Sequence, residues 1–164
     1  RRYFIDSVRY WVGHDTKIVV DNDRTNEKEC EDEQKAIDDI EKELSVDIPR
    51  FLYRPEGLEF KDYNISKDFE YALLQYDYND TIMTLYINKY DKETKSTGAS
   101  LDGKEIETIK LPEGEASIQV KRIMAKGDKK ASYVAYWNNS TEFYQIESQM
   151  EEKEFIKLIK NIKF

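Results

Sequence analysis

Apolar residues recur along this chain with two different periods, and the change of period divides it into helical ends and a β-rich middle. Tyr3, Phe4, Val8, Trp11 and Val12 follow the spacing of one helix face, and Gly13 is a natural stop. A short β-prone run follows at 17–20. The stretch 21–33 is almost wholly polar and reads as a loop or a frayed helix start. Ala36, Ile37, Ile40 and Leu44 form a second helical stripe, which predicts a helix over 31–44. Pro49 and Pro55 then punctuate an irregular passage of apolar anchors and turn residues.

From Leu58 the period becomes two. Strands are predicted over 58–65, 69–78, 81–90, 104–111, 117–124, 132–137 and 142–147. In the third of these, Met83, Leu85 and Ile87 share one face, while Thr84, Tyr86, Asn88 and Tyr90 share the other. Turn chemistry separates the strands at Asn79-Asp80, Asp102-Gly103, Pro112-Glu113-Gly114, Lys126-Gly127-Asp128 and Asn138-Asn139. Connectors this short imply an antiparallel meander. At the C-terminus, Ser148 and Glu151 have the spacing of a capping box, and Phe155, Leu158, Ile159 and Ile162 form a helical stripe. That helix is expected to cross one sheet face, leaving the other more polar and rich in tyrosine.

The predicted fold is therefore α+β. It is a curved antiparallel sheet of about six or seven strands, with a C-terminal helix packed on one face and N-terminal helices alongside. Residues 1–164 read as a single domain. Residues 1–44 form a helical stem or arm too short to hold a core alone, and 45–164 form the sheet with its helix.

Composition narrows the function classes. Hydrophobic residues make up 39% of the 164, enough for one core, and the aromatic share of 13% is mostly tyrosine. The net charge of −8 repels phosphate backbones and anionic lipid, so no nucleic-acid partner is expected. Membrane attachment is expected only through an upstream anchor. No apolar run approaches the roughly 18–20 residues of a span, and no signal peptide is present. The chain opens Arg1-Arg2 instead of on methionine, which suggests a fragment or processed product. The Tyr-Phe and Tyr-Trp pairs that follow suit either an interfacial belt beside a membrane span or an amphipathic helix docked on the domain.

Candidate chemistry is sparse. The one histidine, His14, and the one cysteine, Cys30, lie in the polar N-terminal portion. Acidic neighbours blunt Cys30, and His14 reads as a solvated loop residue after a helix end. There is no Gly-x-Ser-x-Gly elbow and no Gly-rich phosphate loop. Asp21-Asn22-Asp23 begins like a calcium loop, but Asn26 replaces the required glycine and Asp32 the bidentate glutamate. Zinc would need more His or Cys ligands than the chain has. The 34 acids are too numerous for any pair to point to a hydrolase. The sequons at Asn64, Asn79, Asn138 and Asn139 are permissive turn patterns. No catalytic residue, metal ligand or cofactor is expected.

Aromatic strand residues are the one suggestive feature. Tyr76, Tyr78, Tyr86, Tyr90, Tyr133, Tyr136 and Trp137 all fall in predicted strands. Most such rings serve cross-strand packing. A tyrosine-rich open face can also bind a peptide, glycan or lipid tail, and Tyr86, Tyr90 and Tyr136 are the candidate partner-binding residues.

Three stretches in order carry a family resemblance. They are Ile48-Pro49 through Pro55-Glu56-Gly57-Leu58; Tyr136-Trp137-Asn138-Asn139 followed by Phe143-Tyr144-Gln145-Ile146; and Glu154-Phe155-Ile156-Lys157-Leu158-Ile159-Lys160-Asn161-Ile162. Together they resemble the domain of unknown function 4367, a Firmicutes family. The resemblance implies an extracytoplasmic C-terminal domain, often after a single membrane span and sometimes in an anti-sigma-factor-like or lipoprotein setting. It supplies no catalytic residues.

The expected function is a non-enzymatic extracytoplasmic sensing or interaction domain of a membrane-anchored bacterial regulator. Its partner would be a protein, a peptide or an envelope component. Two alternatives stand beside it: a carrier holding a lipid or apolar ligand between sheet and C-terminal helix, and a hydrolase using surface carboxylates.

Overall fold

The computed structural model describes residues 26–89, 103–111, 116–139 and 141–164, with side chains of the first helix from Glu31 onward. The expected elements at 1–12 and 17–20, His14, Asp21-Asn22-Asp23 and Tyr90 lie outside these residues.

Helix α1 (Asn26–Leu44) begins within the polar stretch read as a loop or a frayed helix start, five residues before the expected 31. Its first turns are rich in Glu, Lys and Gln, which are good helix formers whatever their polarity. The stripe Ala36, Ile37, Ile40 and Leu44 is buried as its spacing requires. Ser45 leaves the helix with a φ of 54°. The irregular passage then holds a short strand, β1 (Arg50–Phe51), before the turn at Gly57. Gly57 has a φ of 89°, and a Cβ there would lie 2.6 Å from Asn79 Oδ1, so both backbone and space call for glycine.

Seven strands build the main sheet: β2 (Leu58–Ser66), β3 (Tyr71–Tyr78), β4 (Thr81–Lys89), β5 (Lys104–Lys110), β6 (Ser117–Ile123), β7 (Ser132–Asn138) and β8 (Glu142–Ser148). The order across the sheet is β2-β3-β4-β8-β7-β6-β5, with every neighbouring pair antiparallel. It is therefore not the single meander that the short connectors implied. Two meanders, β2-β3-β4 and β5-β6-β7-β8, meet at the β4–β8 seam. The longer stretch between Lys89 and Lys104 frees β5 from pairing with β4 and leaves it at the far edge.

Helix α2 (Glu152–Lys160) starts later than the expected capping box. Ser148 stays in β8, paired with both Met83 and Tyr133, and its hydroxyl accepts the Met150 N–H at 3.1 Å. Sheet pairing on both sides outweighs one cap bond. Glu151 occupies the N-cap without a side-chain cap bond. Phe155, Leu158 and Ile159 are buried on α2, and Ile162 is buried just beyond it in β9 (Ile162–Lys163). β9 pairs antiparallel with β1, joining Phe51 to Ile162 and so tying the two ends of the domain together.

Both helices belong to the first face of the sheet. One hydrophobic cluster joins Ile37, Ile40 and Leu44 of α1 and Phe155, Leu158 and Ile159 of α2 to Leu74, Leu85, Tyr144 and Ile146. Polar contacts at its rim are paired. The buried Tyr76 hydroxyl donates to Glu33 Oε2 at 2.6 Å, and the Arg54 guanidinium meets the same oxygen at 2.8 Å. Tyr63 donates to Asp39, a bond that, with burial, pushes its pKa up to about 12. Tyr144, stacked on Trp137 at 5.0 Å, donates to the Asp47 carbonyl at 2.7 Å.

Candidate functional site

Alternation puts the other half of each strand on the second face, and the β4–β8 seam determines what lies at its centre. Two cross-strand rows run through it. The first is Gln75, Thr84, Glu147, Val134 and Lys121. The second is Leu73, Tyr86, Gln145, Tyr136 and Gln119. Directly opposed residues in such rows have Cβ atoms about 4.5–5.5 Å apart.

The apolar part of this face is a small cluster of Tyr71, Leu73, Tyr86 and Phe143, with Tyr136 packed against it. No described helix contributes to it. The Tyr71 and Tyr86 rings lie 5.8 Å apart, and Phe143 sits 6.4 Å from Tyr86. Asn88 Nδ2 donates to the Tyr86 hydroxyl at 3.2 Å. Lys121 Nζ stands 5.4 Å from the centre of the Tyr136 ring, within cation–π range.

The polar part is unusual. Thr84, Ser132, Gln145 and Glu147 are each fully withdrawn from solvent. Thr84 Oγ1, Ser132 Oγ, both polar atoms of the Gln145 amide and both oxygens of Glu147 have no hydrogen-bond partner among the described residues. A buried polar group left this way costs about 1–3 kcal/mol, and more if charged. Burial pushes the Glu147 carboxyl well above its ordinary pKa of 4.5.

Chemically, the arrangement is a set of hydrogen-bonding groups. It offers one carboxyl, two hydroxyls and one amide, with no histidine to activate either hydroxyl among the described residues. Among those residues there is also no cluster of three or more His, Cys, Asp or Glu side chains that could hold a metal ion. A groove of about 350 Å³ lies at a different place, between the Asn79-Asp80 turn, Arg122, Lys130 and the start of α2. Its charged lining residues are Asp80, Glu151 and Glu152 with Arg122 and Lys130.

The candidate tyrosines fall where parity sends them. Tyr86 and Tyr136 stand in one row on either side of Gln145. Tyr86 is 6% exposed and Tyr136 half-buried. Tyr90 lies outside the described residues. Tyr76, Tyr133 and Trp137 point to the opposite face and belong to the helix-covered core, so the seven rings are not one surface. Thr84, Ser132, Gln145 and Glu147 were not singled out in the sequence. Their signal was there in part: Gln145 and Glu147 share the parity of Phe143 in a strand buried along its whole length.

No curated protein and no solved structure matches this chain. A family model does match, over residues 48–162, and that span runs from the buried Ile48 through the whole sheet and α2 into β9. With well over half its length matched and both meanders inside the match, the chain belongs to the domain of unknown function 4367 family.

Proposed function

We propose that the chain is a non-enzymatic sensing or interaction domain. We place it in a membrane-anchored, anti-sigma-factor-like bacterial regulator, on the extracytoplasmic side of the membrane. The second sheet face is its binding surface for a protein, a peptide or an envelope component. The observation that carries this reading is the set of buried polar side chains without partners on that face, with Thr84 and Glu147 opposed in one cross-strand row and Gln145 between Tyr86 and Tyr136 in the next. Buried groups of this kind call for a specific explanation, and a missing binding partner supplies one. Tyr136, half-buried at the border of the row, is where a partner reaches it first.

The alternatives have less behind them. A carrier needs an apolar tunnel between sheet and C-terminal helix, and Phe155, Leu158 and Ile159 fill that space against Tyr133, Ala135 and Ile146. A hydrolase acting through carboxylates needs two of them at a set separation. Glu147 has Thr84 and Val134 as its directly opposed neighbours.

Two measurements test the reading in cells. A photo-crosslinking residue at position 136 is expected to trap a discrete partner, while one at Lys153, exposed on α2, traps none. Equal trapping from both positions defeats the binding surface. A membrane-impermeant label is expected to reach the domain in intact cells, and labelling only after lysis refutes the outward location.

A further inference from the structure

Three corners of the chain converge at one end of the first face. They are the β3–β4 turn, the approach to β7 and the passage from β8 into α2, and with Arg122 of β6 they line the groove of about 350 Å³. That volume is at the small end of ligand clefts, which run from roughly 300 to 1,000 Å³. Sheet order lays out its walls as β4, β8, β7 and β6. Tyr133 and Arg122, opposed across β7 and β6, stand at one end. Tyr78 and Asp80, at the β3–β4 turn, stand at the other.

Charge is sorted along the groove. Arg122 and Lys130 lie on the β6–β7 side and Asp80 on the β3–β4 side. Burial, and after it the charges of Glu151 and Glu154, hold the Tyr78 hydroxyl above its ordinary pKa of 10, which sets Glu151 toward the Tyr78 end. Asp80, Glu151, Arg122 and Lys130 make no ion pair or side-chain hydrogen bond with another described residue. Between the two sets stands Gln149, directly after β8. It is only 9% exposed, and its amide has no hydrogen-bond partner among the described residues. An amide buried in that way calls for a partner, and this one lines the groove.

An occupant has to match a basic end, an acidic end and an amide between them. A neutral sugar leaves both sets of charge unmatched. A lone anion makes no use of Asp80 or Glu151, and Glu152 and Glu154 already complement the dipole at the start of α2. A short peptide with free ends matches all three features. Its carboxylate suits a guanidinium and an ammonium group, and its own ammonium suits the acids. Its peptide group suits the Gln149 amide, which both donates and accepts. From β4 to β6 is three strand spacings, roughly 14 Å between backbones. Side chains reaching in from both ends leave a span of about 7–10 Å, which two or three extended residues fill. Tyr78, Tyr133 and Met150 offer apolar contact along the way.

We infer that this groove binds a di- or tripeptide with free termini. Arg122 and Lys130 hold its carboxylate, Gln149 its peptide group, and Asp80 and Glu151 its ammonium group. The site lies on the other face of the sheet from Tyr136, so it stands or falls apart from the interaction reading above.

The test titrates the full 164-residue chain with trialanine, N-acetyl-trialanine and trialanine amide, read by NMR at the Gln149 side-chain amide. Trialanine is expected to bind and to move those signals. Blocking either end is expected to weaken binding about three- to tenfold, between the scale of an exposed ion pair and that of a charge-assisted hydrogen bond. Arg122→Gln combined with Lys130→Gln is expected to make the amide and the free acid bind alike. Asp80→Asn combined with Glu151→Gln is expected to do the same for the acetylated and free forms. All four positions are exposed, so these variants are expected to unfold at the wild-type denaturant midpoint. No movement of the Gln149 signals at millimolar peptide, or equal affinity for all three peptides, overturns the inference. Equal affinity for trialanine and its acetylated form, with loss on amidation alone, shows an anion site and overturns it too.

Discussion

Thr84 and Leu85 are neighbours in one strand, equally buried, and sit in opposite circumstances. Leu85 faces the helices and meets Ile146 across the β4–β8 seam inside the main cluster. Thr84 faces the other way, opposite Glu147, with its hydroxyl unpartnered among the described residues. The polar groups at the rim of the first face are paired, as Tyr76 is with Glu33. Those at the centre of the second are not. Burial alone therefore does not separate a core from a site; the satisfaction of buried polar atoms does. The first face gains stability from what it contains, and the second contains buried polar groups whose cost no hydrogen bond among the described residues offsets.

The contrast can be broken or sharpened by substitution. The largest effect is expected on the first face, where Phe155→Ala on α2 should cost about 3–5 kcal/mol in denaturant unfolding. A loss well below this would mean that α2 is not essential to the core. Leu85→Ala is expected to cost about 2–5 kcal/mol by the same measurement. Tyr76→Phe, which removes a buried bond to a carboxylate and leaves the ring in place, should cost about 1–3 kcal/mol.

On the second face the sign reverses. Thr84→Val deletes an unpartnered hydroxyl at constant shape, so stability is expected to rise by up to about 1 kcal/mol in denaturant unfolding. A destabilised Thr84→Val chain would show that the hydroxyl already has a partner.

The finest test is a slope. Glu147 has a folded pKa raised by burial above its ordinary 4.5. Its stabilising contribution is thus complete below about pH 4.5 and is lost as pH rises through the folded value. Lys121, the cation of its row, stands two strands away over the Tyr136 ring. Glu147→Gln should flatten this part of the pH–stability curve. A Glu147 contribution that instead grows with pH would show its carboxyl ionised against a cation.

Much of the local structure was legible from periodicity. Alternation in 81–90 assigned Met83, Leu85 and Ile87 to one face and Thr84, Tyr86 and Asn88 to the other, and the structure keeps that division. The stripes of α1 and α2 were equally plain. The misreadings share one cause. Ser148 had the local chemistry of a cap, yet it pairs with Met83 and Tyr133, residues remote in sequence. The tyrosines looked like one feature, yet parity and strand order divide them between a packed core and an open question.

The sequence by itself determined the seven strands of the main sheet, the parity of each, the apolar stripes of the two described helices and the scarcity of nucleophiles and metal ligands, because these depend on residue type and short-range spacing. Only the tertiary structure decided that β8 lies between β4 and β7, and so that Thr84 stands opposite Glu147 while Gln145 stands between Tyr86 and Tyr136. Backbone hydrogen bonds are nearly the same for any pair of strands, so they carry no record of which strand is the neighbour. That choice is made by the packing of α1 and α2 on the first face and by the chain length between Lys89 and Lys104.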